Sequence, residues 1–282
     1  MGKHYVPQHY LQGFCDYSNL SMIWMYEKGN DEIKLVSIEN IANEKNLWPD
    51  ETENQLTNEV ENPANAVISK IRRKQAISIY DKKLLSTYIS VMLLRVPRGL
   101  HRIKELAPVV LEDVVKKVKT DINYLIKLLP EKRDLLQQRL SELPLIKAKM
   151  EQEFPLNIWY KNLTADTLPQ VQLILPQMRW VMLTSENKHA FITSDNPVFF
   201  FEGIGMGKME SQIFFPISSK IVLFLSWQNR YKADYLNVKE TSIKEINKRI
   251  TSSATRFIFH SRKNTGILSL INKKTLSFKK IV

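Results

Sequence analysis

Between about Glu51 and Glu153 the apolar residues recur at helical spacing, and on both sides they fall into short runs of β character. This order constrains the fold more than any other feature. A chain that alternates strand and helix builds a parallel sheet with crossover helices, whereas strands gathered at both ends around a helical middle predict an α+β arrangement. The expected fold class is therefore α+β, with a helical middle region packed against a mixed or antiparallel sheet built from N-terminal and C-terminal strands. The expected organisation is one domain spanning 1–282, with a helical subregion at about 51–154 and an α/β subregion formed by 1–50 and 155–282.

The strand readings are local. Met22 to Tyr26 and Ile33 to Val36 flank the polar turn Lys28-Gly29-Asn30, which predicts a hairpin. Later runs are Arg179 to Leu183, Ala190 to Thr193, Val198 to Phe201, Gln212 to Pro216, Ile221 to Ser226, Arg256 to His260 and Leu276 to Val282. The glycine-rich stretch 203–207 reads as a hairpin loop. Among the helical segments, Leu56, Val60, Ala64, Val67 and Ile71 share one face. Pro63 either starts a new helix behind Asn62 or kinks one long helix. Asp81 is the expected N-cap of the next helix, with Leu84, Tyr88, Val91 and Arg95 on its buried stripe and Pro97 at its end. A break is expected near Pro108, a stop at Pro130 and a bend near Pro144. Beyond Pro155 a further helix is expected from Ala165 to about Met178, and Ser242 to Ser252 reads as another.

Charge narrows the partner. Lys and Arg number 41 against 29 Asp and Glu, a net charge of +12. The expected partner is a polyanion, DNA or RNA foremost, because such an excess steers association with phosphate backbones. The tracts Lys70 to Lys74, Lys116 to Lys119 and Lys244 to Arg249 are the candidate backbone contacts. The single cysteine, Cys15, excludes an internal disulfide and fits a reducing, cytoplasmic setting. No apolar run reaches bilayer length, so no membrane partner is expected. Walker, Rossmann and His-Glu-x-x-His patterns are absent. His4, His9 and Cys15 offer only three zinc ligands, at no recognised spacing.

Six residues are the candidate catalytic set: His4, Gln8, Glu61, Arg95, Asp195 and Asn196. Imidazole titrates near neutrality and serves as acid, base or ligand. Gln8 orients a phosphate or a water without carrying charge. Arg95 is aimed inward, and a buried guanidinium requires a carboxylate or a bound anion. Asp195 and Asn196 sit in the turn of Thr193-Ser194-Asp195-Asn196-Pro197, where Asx side chains ordinarily bond nearby backbone. Glu61 pairs with Arg95, caps a helix start near Pro63, or joins Asp195 on a metal. The metal expected for that last reading is Mg2+ or Mn2+ held by Asp195 and Glu61.

His4-Tyr5-Val6-Pro7-Gln8, followed by Tyr10-Leu11 and Phe14, opens a series of short motifs. Glu61 to Ala64, Arg95-Val96-Pro97-Arg98, Thr193 to Pro197 and Pro216-Ile217-Ser218 complete it. In this order the series resembles the bacterial family catalogued as domain of unknown function 4238, with Pro63 departing from its pattern. The resemblance implies a single domain and a shared site and carries no activity. Two functions follow from the residues themselves. One is a metal-dependent nuclease, of the kind suited to a toxin or phage-defence effector. The other is a noncatalytic basic module for nucleic acid or protein, in which His4, Glu61, Arg95 and Asp195 form a buried polar staple.

Overall fold

A computed structural model describes residues 2–161, 163, 171–186 and 188–271. The protein is α+β. Its residues separate into two compact units, Met1–Arg98 with Asn162–Val282, and Gly99–Lys161.

Among the described residues, three sheets build the larger unit. Strand β1 (Lys3–His4) pairs antiparallel with β4 (Asn43–Glu44). Strands β2 (Met22–Glu27) and β3 (Ile33–Ser37) form the expected hairpin, in which Gly29 adopts a φ of 82°, a conformation that side chains disfavour. The same sheet continues through β11 (Phe257–His260) to β6 (Thr193–Ser194), in the order β3-β2-β11-β6. Here the early hairpin gains its next strand from more than 200 residues later. The third sheet runs β10-β5-β9-β8-β7, with β5 at Arg179–Thr184, β7 at Phe199–Phe200, β8 at Gln212–Ser218, β9 at Ile221–Ser226 and β10 at Tyr235–Asn237. All its pairings are antiparallel except β10 with β5, so the sheet is mixed.

Helices cover these sheets where the sequence supplies apolar faces. In α8 (Glu240–Ser253) Ile243, Ile246 and Ile250 are buried against Phe191, Phe214, Phe224 and Ile258. Each such side chain contributes roughly 1.5–3 kcal/mol by leaving water. The short α1 (Gln8–Leu11) precedes the hairpin, and α2 (Asp50–Gln55) leads into a π-helical turn over Leu56–Glu61 and then α3 (Asn62–Arg72). Leu56, Val60, Ala64, Val67 and Ile71 are all buried, as their spacing requires. Pro63 stands at the start of α3, as one of its two readings has it, with Glu61 and not Asn62 as the N-cap. It occupies the first turn of α3, and the widened turn before it absorbs the hydrogen bond that proline cannot donate.

Several local expectations are corrected. The N-cap of α4 (Ile79–Arg95) is Ser78, and Asp81 is its third residue, reaching back to the Ser78 amide at 2.8 Å while the Ser78 hydroxyl accepts from the Asp81 amide at 3.1 Å. This is a capping box, in which the acidic residue answers the cap. The helix is buried on most of its circumference, with Leu85, Ile89 and Met92 fully enclosed and Leu84 only partly so. In the smaller unit, α5 (Pro97–Leu128) passes through Pro108 without breaking, and α6 (Arg133–Lys161) passes through Pro144 and Pro155. Pro108 is exposed, so water can satisfy the carbonyl its ring leaves unpaired. The strand expected from Ala190 is reduced to Thr193–Ser194. Two further helices, α7 (Val171–Ile174) and α9 (Gly266–Ile271), are short. The expected strand Leu276 to Val282, and residues 165–170 of the expected helix, lie outside the described residues.

Candidate functional site

The motif residues meet around the N-terminal segment, and Arg95 is their centre. The last turn of α4 carries its guanidinium inward, leaving the side chain 1% exposed. Nη1 donates to Glu61 Oε1 at 2.6 Å, Nη2 donates to the His4 carbonyl, and the guanidinium stacks 5.3 Å from the Trp48 ring centroid. An ion pair so enclosed is a strong local constraint. Removing one partner leaves a buried charge, a loss of roughly 3–5 kcal/mol. Tyr88, about two turns earlier on α4, is buried too. Burial first and then the charge of Glu61 hold its phenol well above the usual range. Its Oη and Arg95 Nε have no hydrogen-bond partner among the described residues.

His4 and Gln8 lie at the edge of this cluster, both partly exposed. Their Nε2 atoms are 3.2 Å apart, and His4 Nε2 is 3.2 Å from the Glu39 carbonyl. Both contacts fall on one nitrogen, so the tautomer selects between them: Nε2 donates to the Glu39 carbonyl when protonated and accepts from Gln8 when not.

Asp195 and Asn196 form a separate cluster on the turn after β6. Asp195 Oδ1 accepts the Thr255 amide at 2.8 Å, and Oδ2 accepts those of Arg256 at 2.7 Å and Phe257 at 3.0 Å. The carboxylate therefore closes the entry to β11. Burial holds its pKa above the ordinary carboxylate range, against the pull of the three amides and of the Lys28 charge. Asn196 Nδ2 donates to the Ser253 carbonyl at 2.8 Å, tying off the end of α8. Among the described residues no hydrogen bond or ion pair joins Asp195 or Asn196 to His4, Gln8, Glu61 or Arg95. Burial first, then the Asp195 charge, raises the phenol of Tyr5.

The six candidates therefore fall into a group of four and a group of two. Glu61 pairs with Arg95, one of the roles open to it. Among the described residues no three His, Cys, Asp or Glu side chains gather as a metal set. With both Asp195 oxygens accepting amides and one Glu61 oxygen on Arg95, the donors that a divalent ion needs are not assembled around this pair. Cys15 donates to the Leu11 carbonyl at 3.6 Å, and burial pushes its thiol up to about 11.

Three further residues join in a clasp around the N-terminal segment, of which Tyr10 belongs to the opening motif while Arg72 and Gly13 escape a sequence reading. Arg72 lies in a basic tract that reads as solvent-facing. Its Nε donates to the Ile217 carbonyl at 3.2 Å and its Nη2 to the Tyr10 carbonyl at 3.0 Å. Its spacing four residues after buried Ile68 is the signal that points it inward. Tyr10 Oη meets Thr193 Oγ1 at 2.6 Å. Gly13 is the third: a Cβ there would lie 2.5 Å from Arg72 Nη2 and 2.7 Å from the Ile217 carbonyl. Its own carbonyl accepts the Ser219 amide at 2.8 Å. Every motif group thus contributes to docking the first fifteen residues: Glu61 and Arg95 at His4, the Thr193 turn at Tyr10, and the Pro216-Ile217-Ser218 bulge at Arg72 and Gly13.

No helix among the described residues is long and apolar enough to cross a membrane. Comparison with curated proteins and with solved structures gives no match. Among protein families, the one described as protein of unknown function (DUF4238) matches residues 3–264. The match spans every motif that the clasp uses, and the chain belongs to this family.

Proposed function

We propose that the chain is a noncatalytic basic module that binds nucleic acid, its motif residues serving as the staple that holds the fold. The observation that carries this reading is the fate of the acidic groups. Asp195 is closed by three backbone amides and Glu61 is bound to a buried guanidinium, so both carboxylates are committed to structure. Basic groups remain for a partner. Of the three lysine- and arginine-rich tracts, two are largely engaged: Lys70 with Asp81, Lys74 with Glu186, Lys244 with Glu240, and Arg249 buried beside Glu245. Lys116, Lys117 and Lys119 stand exposed on α5 with no ion pair among the described residues. Lysines so placed attract phosphates and release counterions on contact. The nuclease alternative requires Asp195 and Glu61 to leave their present bonds and meet around Mg2+ or Mn2+, with half-exposed His4 as acid or base and Gln8 orienting a phosphate or a water.

The test is fluorescence anisotropy with labelled duplex and single-stranded DNA and RNA across a salt series, with a parallel cleavage assay in Mg2+ and Mn2+. Binding that weakens steeply with salt, and more shallowly for the combined Lys116→Glu, Lys117→Glu and Lys119→Glu variant, supports the proposal. The salt exponent should drop by about 0.7–0.9 for each phosphate that the variant no longer neutralises. Absence of binding at low salt sinks it. Cleavage abolished by Asp195→Asn in a protein of unchanged melting temperature establishes the enzyme instead.

A further inference from the structure

The smaller unit is built from the two long helices α5 and α6, joined by the turn at residues 129–132. Glu112 of α5 and Lys147 of α6 meet at 2.5 Å, and with so short a turn this pair fixes an antiparallel register. Among the described residues of this unit, the large apolar side chains that are buried are Leu111, Leu143 and Trp159. A helix in a folded protein is held chiefly by burying its apolar face against another element. Much of the apolar surface of α5 instead faces water.

These exposed residues form a pattern. Val110, Val114, Tyr124 and Leu128 are between 47% and 61% exposed. Lys117 and Asp121 stand exposed between them. The six positions follow one another at intervals of four, three, four, three and four residues. That alternation is the seam of a coiled coil, whose positions all face a partner helix. The seam occupies about 27 Å of α5 at roughly 1.5 Å per residue. Leu111, Val115, Val118 and Ile122, which are buried or half-buried, lie on a different stripe, so the seam is a second face of the helix. By the register of the Glu112–Lys147 pair, exposed Leu135 of α6 is level with Tyr124, and exposed Ile146 with Asp113.

The two charges within the seam decide what can cover it. Both side chains are exposed, and among the described residues neither enters an ion pair. A second copy of α5, laid antiparallel on the first, can set its Asp121 opposite Lys117. Lys117 of the second copy then faces Asp121, Val114 faces Tyr124, and Val110 faces Leu128. Each contact occurs twice, as a twofold axis requires. In a parallel alignment Lys117 meets Lys117 and Asp121 meets Asp121, two repulsions between like charges. Sliding the antiparallel pair by one heptad sets each charge against an apolar residue and leaves it without a partner. Polar residues inside a seam fix orientation and register in this way. The seam is therefore complementary to itself in one arrangement.

We propose that the smaller unit pairs with that of a second copy of this chain through the α5 seam, antiparallel, with Lys117 and Asp121 setting the register. The product is a bundle of four helices, two from each copy. The proposal does not rest on nucleic-acid binding. Lys116 and Lys119 lie outside the seam and stay exposed in the dimer, while Lys117 is taken up by Asp121 of the second copy. The two readings fail separately: association is measured by mass without nucleic acid, and phosphate contact by anisotropy.

The experiment is sedimentation velocity of the full chain over a concentration series. The expected result is a monomer–dimer equilibrium whose larger species has twice the mass of the chain. Lys117→Asp sets like charges against each other twice in the dimer and should weaken it about tenfold or more. The combined Lys117→Asp and Asp121→Lys variant restores opposite charges in the same register and should associate as wild type does. Both positions are exposed, so circular dichroism should show the same helix content in each variant. Cysteine cross-linking reads the orientation, with native Cys15 buried and out of reach. Val114→Cys combined with Tyr124→Cys should cross-link between copies under mild oxidation. Val114→Cys alone should not, because its two copies stand about 15 Å apart along the axis, too far for a disulfide. A single-chain mass at every concentration overturns the proposal. So does a dimer indifferent to Lys117→Asp, a charge swap as weak as the single reversal, or Val114→Cys alone cross-linking as readily as the double variant.

Discussion

Arg95 and Glu61 meet at 2.6 Å with the guanidinium sealed from solvent, and the same guanidinium holds the His4 carbonyl. One side chain therefore joins α4, the π-helical turn before α3 and the N-terminal strand. Glu61→Gln keeps the shape and removes the counter-charge, and should cost roughly 3–5 kcal/mol in urea unfolding. Arg95→Lys should not recover the wild-type midpoint, because a single ammonium lacks the planar fork that serves Glu61 and His4 together. A wild-type midpoint in either variant would show that the pair does not hold the fold.

Asp195 sits where three amides converge at the start of β11. In Asp195→Asn one oxygen becomes an NH2 donor, and at least one amide is left without its acceptor. Each orphaned buried N–H costs about 1–3 kcal/mol. Hydrogen exchange at Thr255, Arg256 and Phe257 should accelerate in the variant, while exchange in α5 stays as in wild type. Unchanged protection at these three amides would contradict the structural role.

Gly13→Ala places a methyl group 2.5 Å from Arg72 Nη2 and 2.7 Å from the Ile217 carbonyl. The arginine is itself fixed by backbone acceptors, so a rotamer change alone cannot relieve the clash. Overpacking of this kind costs about 1–3 kcal/mol. The expected readouts are a lower melting temperature and faster proteolysis within the first fifteen residues, and a variant as resistant as wild type would count against the docking of this segment.

His260 predicts a pH dependence. Its folded value lies near 4 against an ordinary value of 6.5, so between these limits the unfolded chain binds the proton and the folded chain does not. Stability contributed by the neutral ring is complete above pH 6.5 and declines as pH falls toward 4, by at most about 3.5 kcal/mol at about 1.4 kcal/mol per pKa unit. Urea midpoints measured from pH 7 down to 4 should fall more steeply in wild type than in His260→Gln. Parallel profiles would mean that the imidazole titrates alike in both states.

The family motifs were legible in the sequence because they are contiguous, and so was the inward aim of Arg95, which follows from the helical stripe it shares with Tyr88 and Val91. Its partner was narrowed to a short set that included Glu61. The purpose of Arg72 was hidden by its neighbours Arg73 and Lys74, since a run of cations reads as solvated whichever member turns inward. Asp195 gave two readings from one turn, and the three amides that its carboxylate accepts lie sixty residues later, beyond the reach of any local pattern.

Sequence alone determined the α+β class, the main helices and strands and the chain's basic character, because periodicity, capping residues and charge act over a few neighbouring positions. Tertiary structure decided that β11 lies between the first hairpin and the Thr193 turn, that four motif residues cluster while two stand apart, and that one apolar seam of α5 is left exposed. Those outcomes depend on which distant segments share a buried face. Side chains acquire their partners, and acids and bases their pKa values, only when folding has excluded water between them.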